Sequence, residues 1–168
     1  GSVLSLNWSP PGCVISGFTI INGVAKSISD YNGGGISIVN TQDVTLKNLA
    51  IKENVSSYGG GIFIYNTSDG NHMLDNISLS NNSSSTGGGI YIQGDNSELN
   101  NIIVNGNTVD DQAGGIFLKG NNHLLTDIIV SDNNAASEAG GVYINGDDNI
   151  ITNLTATDNE ILYQYSSK

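Results

Sequence analysis

The sequence predicts an all-β fold, a right-handed single-stranded parallel β-helix of about six coils with three short strands per coil. Two repeated segments and the distances between them carry that prediction. Gly-Gly-[Ile/Val]-x-[Ile/Leu] occurs five times, 26 to 28 residues apart, at Gly34-Gly35-Ile36, Gly60-Gly61-Ile62, Gly88-Gly89-Ile90, Gly114-Gly115-Ile116 and Gly140-Gly141-Val142. A second segment of the type Leu-x-Asn-[Ile/Leu]-x-apolar follows each copy, as in Leu74-Asp75-Asn76-Ile77-Ser78-Leu79. A fixed period of this length means stacked supersecondary units. The preference for right-handed crossovers between parallel strands supplies the expected hand.

The elements follow in chain order. Residues 1–12 are expected to be a tag scar, Gly1-Ser2, and a cap segment with Trp8, Pro10 and Pro11. Residues 13–160 form the β-helix, opening with a degenerate copy, Ile15-Ser16-Gly17-Phe18-Thr19-Ile20. In each Gly-Gly strand the period-2 rule sends Ile62 and Ile64 inward and Phe63 outward. In the second segment the parity breaks, because Leu74 shares a parity with Asn76 while Ile77 and Leu79 take the other. A bend at Asn76 reconciles the two sets, and asparagine tolerates the left-handed backbone that a bend needs. Three strands with corners between them result. A second asparagine lies six residues beyond the corner in all five copies, at Asn54, Asn82, Asn107, Asn133 and Asn159, and length varies only in the other loops. Stacked coils place such side chains in ladders, with Asp127 an acceptor in the corner ladder. Residues 161–168 are a tail or cap, and the whole is expected to be a fragment of a longer protein.

Apolar residues make up 38% of the 168, and the net charge is −11, from 16 acids against five lysines and no arginine. That balance argues against nucleic acid, since phosphate contacts need a basic surface. It suits an extracellular or cell-surface setting. Cys13 is the single cysteine, which excludes a disulfide framework within the chain. No apolar run approaches the roughly 20 residues of a membrane-spanning helix.

The alternation of Gly-Gly-[Ala/Gly]-[Ile/Val] with x-x-x-Asn resembles the repeats of chlamydial polymorphic membrane proteins and, more broadly, parallel β-helix proteins of microbial surfaces. It covers about Val14 to Asn159. The Phe-x-x-Asn of those repeats corresponds here to Ile51-Lys52-Glu53-Asn54, Leu79-Ser80-Asn81-Asn82, Val104-Asn105-Gly106-Asn107 and Val130-Ser131-Asp132-Asn133. The resemblance implies a secreted or surface-exposed passenger, often adhesive, and transfers no catalytic residue.

Candidate chemistry is sparse. Asp95, Asn121 and Asp147 form one column, with Asp148 adjacent and Lys119 two residues before it. Acid oxygens at this spacing suit Ca²⁺, and the lysine suits a lyase-type base. The competing reading is a repeated turn in which Asp and Asn fit the backbone. Asp110-Asp111 has no evident partner for a hydrolase pair. His72 and His123, two coils apart, are expected to be solvated surface residues. Cys13 reads as a small buried or cap residue. The sequon asparagines Asn54 and Asn76 are ladder residues and poor glycosylation sites. No outward column is threonine throughout, which disfavours ice binding.

The column Ser37, Phe63, Tyr91, Phe117, Tyr143 supplies the candidate ligand- or partner-binding residues, Phe63, Tyr91, Phe117 and Tyr143. Rings at the coil spacing stack on one another and stabilise the sheet, or are covered by a flanking segment or partner chain; a contiguous exposed stripe can also mark a glycan or receptor contact. The parallel column Ala50, Ser78, Ile103, Ile129, Thr155 adds apolar surface. The functional expectation is a non-catalytic stalk or adhesin with no cofactor and no metal. Its partners are a host or cell-surface protein or glycan, or other copies of itself. The alternative is a carbohydrate-binding or polysaccharide-cleaving module.

Overall fold

The computed structural model describes residues 1–25, 33–67 and 69–162. Every regular element among them is a β-strand, and every strand pairing is parallel. The chain winds through three sheets in turn, which makes it a parallel β-solenoid. Two sheets hold six strands each, so the stack has six levels and about five coil-to-coil steps.

The first sheet contains the strands that follow the Gly-Gly pairs: Ile36–Val39, Ile62–Tyr65, Ile90–Gln93, Ile116–Lys119 and Val142–Asn145. Leu4–Asn7 extends it at the N-terminal edge, with Leu4 opposite Ile36 and Leu6 opposite Ile38. Close approach between coils requires the glycines. A Cβ built on Gly88 would lie 2.4 Å from the Gly114 carbonyl oxygen of the next coil.

The second sheet differs from the expectation of two short strands separated by a corner. Thr45–Lys52, Met73–Ser80, Glu98–Asn105, Leu124–Ser131 and Ile150–Thr157 are continuous eight-residue strands, each bent within. The bend falls at Asn48, Asn76, Asn101, Asp127 and Asn153, all with φ between 52° and 56°. One left-handed residue turns the chain and reverses side-chain parity, while its neighbours stay in the ladder. Asp75 pairs with Asn100 and Ile77 with Ile102, and only the corner pair is skipped. The sequence therefore located the bend and the parity switch correctly but divided one strand into two.

The third strand of each coil is a short polar segment after the second asparagine: Val24–Ala25, Val55–Ser56, Ser83–Ser84, Thr108–Gln112, Asn134–Ser137 and Glu160–Ile161. Each of the first five buries a single position (Ser84, Val109 and Ala135, for example) and Glu160–Ile161 buries none, so no apolar alternation advertised these strands.

Ile36, Ile62, Ile90, Leu46, Leu74, Leu99, Ile51, Leu79, Val104 and their counterparts form one continuous aliphatic core along the axis. It thins at the last level, where Ile151 is 42% and Leu154 38% exposed.

Candidate functional site: the aromatic face and the inter-coil ladders

The parallel register places Ser37, Phe63, Tyr91, Phe117 and Tyr143 directly over one another on the outer side of the first sheet. Their rings stack. Phe63 and Tyr91 centroids lie 5.2 Å apart, Tyr91 and Phe117 4.8 Å, and Phe117 and Tyr143 5.0 Å, the last two pairs tilted by only 7° and 9°. The column points outward as the period-2 rule expects, but Ser37, Phe63 and Phe117 are buried rather than exposed, which agrees with stacking and cover by a flanking segment. Phe63 has no exposed surface at all. Tyr58 covers it at 6.2 Å, and Tyr65 stacks beside it at 6.4 Å. Both tyrosines escaped the sequence reading, yet Tyr65 is two residues from Phe63 and therefore on the same face by the period-2 rule. Tyr91 and Tyr143 are half-buried. The Tyr91 hydroxyl donates to Gln93 Oε1 at 3.0 Å, and the Tyr143 hydroxyl accepts from Asn145 Nδ2 at 3.4 Å.

The acidic column serves the backbone. Asp95 Oδ1 accepts the Asn121 N–H at 2.7 Å, and Asn121 Oδ1 accepts the Asp147 N–H at 2.7 Å. The next residues, Asn96, Asn122 and Asp148, are all left-handed, with φ between 57° and 59°. This is the geometry of a repeated turn whose side chains fasten one coil to the next. Among the described residues no three His, Cys, Asp or Glu converge on a point where a metal would sit. Lys119 is exposed beside the column. Asp111 accepts from Ser137 Oγ at 2.9 Å, an inter-coil link of the same kind. Cys13 is a free thiol, half-buried against the core.

The two histidines require the largest correction. They were expected in solvent, but His72 is 2% and His123 1% exposed. Their column, Val44, His72, Ser97, His123, Asn149, is a third ladder. The Val44 N–H points to His72 Nδ1 at 3.4 Å, the Ser97 N–H to His123 Nδ1 at 3.2 Å, and the His123 N–H to Asn149 Oδ1 at 2.8 Å. Imidazole stands in for an Asn side chain as a backbone acceptor, a substitution that sequence spacing alone does not reveal. His72 Nε2 also sits 2.7 Å from Asn66 Nδ2, with donor and acceptor set by the tautomer. His123 Nε2 is buried without a hydrogen-bond partner. Burial pushes the His72 imidazole down from 6.5 to about 4, against the opposing pull of the Asp43 carboxylate. Burial lowers His123 as well, against Asp95.

The inner asparagine ladder is the most fully bonded feature. Asn107 shows the pattern. Its Oδ1 accepts the Asn82 N–H at 2.9 Å and Asn82 Nδ2 at 3.0 Å, while its Nδ2 donates to Asn133 Oδ1 at 2.9 Å and to the Leu79 carbonyl at 3.2 Å. Asn54, Asn82 and Asn133 repeat it, and all four are 0–1% exposed. The corner ladder is exposed and looser. Asn76 Nδ2 donates to Asn48 Oδ1 at 2.8 Å, Asn101 turns instead to Asp75 at 3.2 Å, and Asp127 accepts from Asn153 as its carboxylate allows.

The family model of the Chlamydia polymorphic membrane protein repeat matches residues 76–93. That stretch runs from the corner Asn76 through the ladder Asn82 and Gly87-Gly88-Gly89 to the end of Ile90–Gln93. This chain is a parallel β-helix with a repeat similar to that one. No curated protein and no solved structure matches it. No helix of the described residues is long and apolar enough to cross a membrane.

Proposed function

We propose that the chain is a non-catalytic β-solenoid segment of a cell-surface protein, a stalk that carries an adhesive face. The observation that supports this best is where the polar side chains go. The Asp, Asn and His columns that would supply catalytic or metal-binding groups are spent on hydrogen bonds between coils. The match to a polymorphic membrane protein repeat supports the surface location. The acidic composition, −11 overall, is compatible with it.

The adhesive face in this reading is the aromatic column. Phe63 and Phe117 hold it rigid, and the edges and hydroxyls of Tyr91 and Tyr143 meet the partner, a protein on a host or neighbouring cell. The faces of Tyr91 and Phe117 are stacked on neighbouring rings and so are closed to sugar rings, which favours a protein partner over a glycan along the column.

The test is adhesion of the purified chain to cells, beside a glycan array with and without Ca²⁺ and an assay for polysaccharide cleavage. Adhesion that is lost on protease treatment of the cells, and weakened in a stably folded Tyr91→Ser/Tyr143→Ser variant, is the expected result. Specific glycan binding or release of sugar products would replace it with the carbohydrate-directed reading.

A further inference from the structure

The large aliphatic residues of the inner coils are nearly all inside, and the exceptions share one face. Among the described residues between 33 and 149, the large apolar side chains left exposed are Met73, Ile103, Leu124 and Ile129, all on the outer side of the second sheet. Ile103 and Ile129, 46% and 45% exposed, lie opposite each other in register on the arm of the sheet that follows the bend.

Their column is graded in size. It reads Ala50, Ser78, Ile103, Ile129 over four successive coils, with Thr19 and Thr155 extending it by one coil at each end. The small end borders a groove of about 360 Å³ lined in part by Asn48, Ala50, Asn76 and Ser78. Charge is graded along the same direction. Lys47 and Lys52 lie on the strand of Ala50, while Asp127 and Asp132 lie on and directly after the strand of Ile129.

We propose that this face pairs with the same face of a second copy, the two solenoids antiparallel. A two-fold axis along the strand direction, midway between the coils of Ser78 and Ile103, keeps each column opposite itself and reverses the order of the coils. Ile129 of each copy then enters the hollow at Ala50 of the other, and Ile103 meets Ser78. Lys47 and Lys52 face the coil of Asp127 and Asp132. Glu53 offsets part of the positive charge, so burial of the isoleucines carries the association and the charges set its direction. A parallel pairing is worse on both counts, because it sets Ile129 on Ile129, leaves a gap at Ala50 and puts Asp127 against Asp127. The patch, four coils by five residues, measures roughly 19 by 17 Å, which is at the small end of interfaces and makes a weak dimer. It uses inner coils and a different sheet from the aromatic column, so it stands apart from the adhesive reading.

Sedimentation equilibrium of the full chain from about 10 µM to 1 mM should show a monomer–dimer equilibrium that weakens severalfold as salt rises from about 0.05 to 0.5 M. Ile103→Ser/Ile129→Ser should weaken dimerisation at least about tenfold. Serine already fills this column at Ser78, and a thermal melt confirms that the variant is folded. Lys47→Glu should weaken the dimer as well, whereas Lys119→Glu, the same charge change on the first sheet, should have little effect. Cross-linking in a Cys13→Ser background reads the orientation. A chain carrying Ala50→Cys should link to one carrying Ile129→Cys, and neither should link to its own kind. A monomer over the whole range, dimerisation unchanged in the double serine variant, equal effects of the two lysine variants, or linkage of Ala50→Cys chains to each other would overturn the proposal.

Discussion

At the residue scale, the two asparagine ladders look alike in sequence and differ in energetic weight. Asn107 is fully buried and joins three coils, so Asn107→Ala strands the N–H of Asn82, the carbonyl of Leu79 and two ladder amides. Leaving buried groups unpaired at about 1–3 kcal/mol each predicts a loss of roughly 3 kcal/mol or more. Asn101 is exposed and makes one side-chain bond, so Asn101→Ala should cost less, about 1–2 kcal/mol, chiefly through its left-handed backbone. Urea unfolding of both variants checks the contrast, and similar losses would contradict it. Gly88→Ala should also be severe. Its Cβ would meet backbone of the next coil, which cannot move without opening the stack, and a loss of about 3 kcal/mol or failure to fold is expected.

At the element scale, the aromatic column acts as a unit. Phe117 is stacked on both sides, and Phe117→Ala should lower stability by about 3–5 kcal/mol as read from the thermal or urea midpoint. Among the described residues Tyr143 is stacked on one side only, and it should cost less when truncated to serine. Their equality would mean that stacking contributes little beyond burial. The columns of this face were legible, because period 2 and a fixed spacing determine which residues overlie one another. Their exposure was not legible. Whether an outward ring meets solvent depends on Tyr58 and Tyr65 folding over Phe63, a matter of side-chain contact rather than pattern.

At the scale of the whole molecule, the buried histidine column links stability to pH. His72 titrates near 4 in the folded chain and at 6.5 when unfolded. Below about 6.5 the unfolded chain takes up a proton that the folded chain resists, so stability is complete above that pH, falls as pH drops, and levels off below about 4. The gap corresponds to roughly 3 kcal/mol from His72, with His123 acting in the same direction. Unfolding midpoints between neutral pH and pH about 4 should therefore decline, and His72→Asn/His123→Asn should flatten that decline. Asparagine already fills this column at Asn149, so the double variant is expected to fold. An unchanged slope would show that other groups govern acid sensitivity.

The sequence by itself determined the solenoid, its period, the bend at the first asparagine and the columns of its core, because stacking repeats one local pattern and any constant spacing becomes vertical alignment. Tertiary structure alone decided which outward side chains are covered, that a bent strand replaces two straight ones, and that His72 and His123 belong inside. Those outcomes depend on what lies against a side chain from the coils above and below it. One coil's sequence does not encode the hydrogen bond that the next coil demands of it.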